Sequence, residues 1–159
     1  MSRIDAVTNE AANSAQKSLL DAIQVQLGMV PNIFRVLAHS PAALESFIGL
    51  HKIAGHGELD IRTRERIAIA LAQQNCSEYC LSTHSYMGRK VGLTGDEIAA
   101  NRQGSSHDAK SSAAVAFACT LVKSTGEITS AEFDAVRKVG YKDSEIVEII
   151  MHVGMNVLT

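Results

Sequence analysis

Cysteine and histidine concentrate once in this chain, in the segment Asn75-Cys76-Ser77-Glu78-Tyr79-Cys80-Leu81-Ser82-Thr83-His84. At 3.6 residues per turn, Cys76, Cys80 and His84 fall four apart and share one face of a helix. A thiol near a helix N-terminus gains from the partial positive charge there, and an imidazole one turn away can take its proton or stabilise its thiolate. Nucleophilic thiol chemistry requires that combination. Two cysteines four apart on a helix also have Cα atoms roughly 6 Å apart, in the upper part of the disulfide range, so the pair could cycle. The same spacing fits two small core cysteines and a satisfied helix histidine equally well. A metal site is the weakest reading, because three ligands on one helix with no second Cys or His cluster nearby match structural zinc poorly.

The elements that must hold these residues read as helices throughout. Only two prolines and 11 glycines interrupt stretches rich in Ala, Leu, Ile, Glu, Gln and Lys at helical spacing, with no alternating β-branched run. The fold class is therefore all-α. A first helix is expected from about Asn9 to Leu27, stopped by Gly28. Pro31-Asn32 opens a short turn of helix through Ala38, and Ser40-Pro41 starts another that ends between Gly55 and Gly57. The helix beginning at Asp60 to Thr63 carries Ile67 to Ala72, apolar almost all round, and must be buried or lie at a subunit interface. Asn75 with Glu78 has capping-box spacing, which starts the reactive helix at Cys76 and runs it to Gly92. Thr94 with Glu97 begins a short helix, Asp108 to about Ser124 a long one and Ser130 to Val139 another, and Asp143 caps the last. No repeat, low-complexity tract or linker divides the chain, so residues 1–159 read as a single domain.

Composition bounds what such a domain can do. The 159 residues suit one core. With 15 Lys plus Arg against 17 Asp plus Glu, a formal charge of −2, 4% aromatics and no Trp, neither the basic stripe nor the stacking platform of a nucleic-acid binder is present. The 46% hydrophobic content excludes wholesale disorder. Apolar runs such as Ala113 to Val122 fall far short of the roughly 18 to 20 residues that cross a bilayer, so no membrane is expected as partner. Met1 to Asp5 lacks the apolar core of a secretory signal, which points to the cytoplasm. Three cysteines are too few for a disulfide scaffold. No phosphate loop, His-Glu-x-x-His or dinucleotide fingerprint occurs, and neither a cofactor nor a metal is expected.

Glu65, Asn75, Tyr79-Cys80 and His84 together resemble the active-site pattern of the AhpD-like alkylhydroperoxidase family, which also contains carboxymuconolactone decarboxylases. In that family a Glu lies 15 residues before the second Cys of a Cys-x-x-Cys pair and a His four after it; here Glu65 and His84 stand at those distances from Cys80. The stretch from Val30 to Pro41 looks like the opening of the family's peroxidase-related branch, and the resemblance runs from about Gly28 to Leu158. One departure stands out. The family's first Cys would fall at Ser77, whereas the cysteine present is Cys76, one residue earlier. The resemblance implies an AhpD-like helical bundle and a homo-oligomer, either a trimer or a hexamer. It also implies a thiol peroxidase in which Cys80 attacks a peroxide, Cys76 resolves the sulfenic acid, Glu65 and His84 relay the proton, and an external dithiol restores the enzyme. Without the family spacing Glu65 would pass as a surface charge paired with Arg62, Arg64 or Arg66.

Other candidates are weaker. Cys119, in the apolar run from Ala113 to Val122, reads as inert core. His39, His51, His56 and His107 have no spaced partners, and His152 reads as a core or interface histidine on the last helix. Two other classes of function stay open: a decarboxylase of the carboxymuconolactone type, with no need for Cys80, and a non-catalytic helical oligomer that senses oxidants through Cys80.

Overall fold

A computed structural model of the chain describes residues 3–159, and its described elements are helices without a strand. Two compact units divide at residues 53 and 54. Among the described residues no helix is long and apolar enough to cross a membrane.

The first unit, Met1–Ile53, contains α1 (Ser14–Leu27), α2 (Asn32–Leu37) and most of α3 (Pro41–Ala54). Asn13 accepts the Gln16 N–H at 3.0 Å while the Gln16 side chain accepts the Asn13 N–H at 2.9 Å, so α1 starts at this reciprocal cap and not at Asn9. Gly28, at φ 75°, ends it as expected. Val7, Leu20, Ile23, Ala38 and Leu44 form this unit's core, with Phe34 edge-on to Phe47 at 5.7 Å.

The second unit, Ala54–Thr159, holds α4 (Ile61–Gln74), α5 (Glu78–Lys90), α6 (Gly95–Arg102), α7 (Ala109–Lys123), α8 (Ser130–Lys138) and α9 (Asp143–Leu158). Helix α4 is its axle, packed by α5, α6, α7 and α9. All six residues from Ile67 to Ala72 are buried, which accounts for their apolar character without a subunit interface. Ile67 and Leu71 meet Val115, Ile146 and Ile149 in one cluster, and each such side chain contributes about 1.5 to 3 kcal/mol by leaving water. Thr94, Asp108 and Thr129 cap α6, α7 and α8. Asp143 proves to be the first helical residue of α9; the cap is Lys142, whose N–H donates to Glu145 at 2.8 Å. The Glu148 carboxylate accepts the N–H groups of Glu58 and Leu59 at 2.9 and 2.7 Å, fixing the loop that leads into α4. A side chain at Gly57 would collide with that carboxylate.

Candidate active site

Asp60 caps α4 by accepting the Thr63 N–H at 3.0 Å, and the first turns of the helix carry Arg62, Arg64, Glu65 and Arg66. None of these arginines pairs with Glu65 in an ion pair or hydrogen bond. Arg66 binds Glu97, Arg62 donates to the Val91 carbonyl at 2.9 Å, and Arg64 donates to the Ala54 carbonyl at 3.4 Å. Glu65 instead reaches α5: its Oε2 lies 3.0 Å from Nδ1 of His84, with both side chains largely buried. With Nδ1–H donating to the carboxylate, the ring's Nε2 is left as its proton-accepting nitrogen.

Cys80 lies one helical turn before His84 on α5, in the helix's first turn. Ser77 is the N-cap, and its Oγ accepts the Cys80 N–H at 3.4 Å. The Cys80 thiol is half-buried, and its Sγ donates weakly to the Thr159 carbonyl at 3.8 Å. The start of α5 lends this turn the partial positive charge of a helix N-terminus.

The start of the reactive helix differs from the sequence reading, and the difference removes Cys76 from it. Asn75 is the C-cap of α4, not the N-cap of α5. The Cys76 N–H donates to the Gln73 carbonyl at 3.1 Å and the Ser77 N–H to the Ala72 carbonyl at 2.9 Å. These are the two bonds of a Schellman motif closing α4, with Cys76 in the left-handed position that glycine usually takes, at φ 55°. Cys76 is exposed and does not share the face of Cys80 and His84. The carbonyls left over at the end of α4 thus took the residues that the Asn75–Glu78 spacing assigned to a capping box. Glu65, Cys80 and His84 lie on the neighbouring helices α4 and α5, and Cys76 lies in the junction between them; all three cysteines are free thiols.

Cys119 packs against the core on α7, and burial pushes its thiol above the ordinary range despite the nearby Lys123 ammonium. The Nε2–H of His39 donates to the Asp5 carbonyl at 2.8 Å, and His51 lies against Phe47 on α3. His56 is exposed, and His152 is buried on α9. Among the described residues no group of three or more His, Cys, Asp or Glu side chains could hold a metal.

The most heavily bonded carboxylate in the structure is one that sequence reading treated only as a cap partner. Glu97 on α6 accepts Arg66 Nε at 2.7 Å, Asn101 Nδ2 at 3.3 Å, the Ser106 hydroxyl and the His107 N–H at 3.1 Å. Burial alone would push its carboxyl up, but the bonds from Ser106, His107, Arg66 and Asn101 outweigh it and hold the carboxyl down at about 2. An open cleft of about 320 Å³, lined by Arg62, Arg66, Thr94, Glu97 and His107, lies over this network, and its lining includes neither Glu65, Cys80 nor His84.

A model of the carboxymuconolactone decarboxylase family matches residues 41–121, just over half of the chain, and the protein belongs to that family. The crystal structure of an alkylhydroperoxidase AhpD core, an uncharacterized peroxidase-related protein from Ralstonia eutropha JMP134, is similar at a TM-score of 0.84 and 27% identity, covering 98% of this chain and 85% of that one. An uncharacterized peroxidase-related protein from Silicibacter sp. TM1040 shares the fold at a TM-score of 0.82 and 24% identity, over 99% and 89% of the two chains. The debrominase Bmp8 shares it at 0.78 and 17% identity, over 99% and 86%. No curated protein matches the chain. The expected family and the all-α, AhpD-type fold are both found.

Proposed function

We propose that this chain is a thiol-dependent peroxidase in which Cys80 is the nucleophile and Glu65 and His84 carry the proton. The single observation behind this reading is the Glu65–His84 pair at 3.0 Å, placed one turn along the helix whose first turn holds Cys80. The Cys80 thiolate attacks one peroxide oxygen and the O–O bond breaks. Cys80 becomes a sulfenic acid, and the departing alkoxide or hydroxide takes a proton delivered by His84. Glu65 holds the imidazole in the tautomer that works. Two thiol equivalents, supplied by a reductant in the cytoplasm, return Cys80 to the thiol.

After one equivalent of peroxide, mass spectrometry is expected to find the first added oxygen on Cys80. Limiting alkylation at neutral pH should label Cys80 ahead of Cys119, whose raised thiol pKa keeps it protonated. A Cys80 that takes neither oxygen nor label overturns the reading. The family also supports a decarboxylase reading, because a Glu65–His84 pair can do acid–base work alone. Turnover of a lactone acid that survives cysteine-blocking reagents would establish it.

A homo-oligomer, either a trimer or a hexamer, belongs to the same proposal. Helix α9 buries Ile146, Ile149, Val153 and Met155 yet leaves Val147, Ile150, Met151, Val157 and Leu158 exposed, an apolar stripe that a second copy would cover. Light scattering at micromolar concentration should give a multiple of the 17.0 kDa chain mass; a monomer mass removes this part.

A further inference from the structure

We infer that the sulfenic acid formed on Cys80 is resolved by a thiol from outside the chain and not by Cys76; this rests on the peroxidase reading above. At a helix start, the N-cap side chain is the one that lies over the first turn and meets the backbone of the third helical residue. Here the N-cap is Ser77 and the third helical residue is Cys80, so a hydroxyl occupies the place from which a neighbouring sulfur would reach Cys80. Cys76 belongs to a different element. Its backbone is held in the left-handed conformation by the two bonds that close α4, and the extended Ser77 at φ −91° and ψ 93° separates it from α5. The Cys76 sulfur would have to reach Cys80 past the N-cap Ser77 while its own backbone stays in that closure.

The chemistry then runs through two external thiols. A thiolate attacks the Cys80 sulfur and displaces hydroxide, which leaves as water with one proton, and a mixed disulfide remains on Cys80. A second thiolate attacks the external sulfur of that bond, releases the Cys80 thiolate and leaves as the external disulfide. Two thiols thereby supply the two electrons that reduced the peroxide. A small monothiol and a dithiol differ only in whether both attacks come from one molecule.

The test is intact mass with peptide mapping on the full chain. Without added thiol, the parent should gain one oxygen on Cys80 and, in excess peroxide, a second, with no product two hydrogens lighter. Cys76→Ser should hyperoxidise at the parent's rate. With 2-mercaptoethanol the mixed disulfide should accumulate on Cys80, whereas dithiothreitol should clear it. Ser77→Cys should lose two hydrogens on oxidation, linking the introduced thiol to Cys80, and should resist the second oxygen. A Cys76–Cys80 disulfide in the parent, or hyperoxidation accelerated in Cys76→Ser, overturns the inference while leaving the peroxidase reading intact. A parent in which Cys80 takes no oxygen overturns the peroxidase reading instead. The parent and Cys76→Ser measurements decide the matter even if Ser77→Cys fails to fold.

Discussion

Cys80→Ser is expected to abolish thiol-dependent peroxide turnover, while His84→Gln and Glu65→Gln each slow it by roughly 100- to 10,000-fold at neutral pH. The hydroxyl of a serine is far too weak an acid to supply an anionic nucleophile in the first turn of α5, so nothing replaces the lost sulfur. The two amide variants keep size and hydrogen bonding but cannot move a proton. Their loss should appear in kcat/KM and, for His84→Gln, also as slower alkylation of Cys80. Steady-state assay with a chosen hydroperoxide, alongside thermal melts to show that the variants remain folded, measures both. Wild-type alkylation kinetics in folded His84→Gln would take His84 out of the mechanism, and unaltered turnover in Cys80→Ser would leave the peroxidase reading without a nucleophile.

The second large effect is on stability and comes from Glu97. Glu97→Ala leaves the Arg66 guanidinium, whose side chain is 14% exposed, without its partner, and removal of one member of a buried pair costs about 3 to 5 kcal/mol. The carboxyl lies at about 2 in the folded chain against an ordinary value of 4.5. Because the folded value is the lower one, the ionised form favours folding, and the benefit is complete above about 4.5. It is lost as pH falls toward about 2, and at full size is about 3 kcal/mol. Denaturant unfolding across that range should show parent stability falling with pH and Glu97→Gln, weaker at neutral pH, falling much less. Parallel pH profiles for parent and variant would show that Glu97 is not the group responsible.

Local signals carried most of the fold. Thr94, Asp108 and Gly28 mark ends that the structure keeps, because a cap side chain or a left-handed glycine acts within four residues of chain. The buried run from Ile67 to Ala72 was equally plain, although its alternative assignment to a subunit interface was not needed. The junction at Asn75 misled for a physical reason. Two helices meet there without a spacer, and the same residues can serve as the start of one or the closure of the other; bonds back to Ala72 and Gln73 decide for closure. Of the site, Cys80 and His84 were legible from helical spacing, and Glu65 only through family resemblance. Its choice of His84 over three neighbouring arginines depends on how α4 lies against α5. Glu97 was legible only as the partner of the Thr94 cap, since Arg66, Asn101, Ser106 and His107 reach it from three different parts of the chain.

The burial of α4 has a consequence for the timescales of the proposed reaction. Amide groups along an element covered on every side open only when the whole unit opens, whereas the first turn of a helix frays at little cost. Glu65 stands two residues before the buried run from Ile67 to Ala72, and Cys80 stands in the first turn of α5. A thiol that must accept a peroxide, then a bulkier partner, and then release it has to sample several positions, while a carboxylate that orients an imidazole must keep one. In the proposed reaction those demands fall on two helices, the sulfur in the first turn of α5 and the carboxylate beside the buried run of α4.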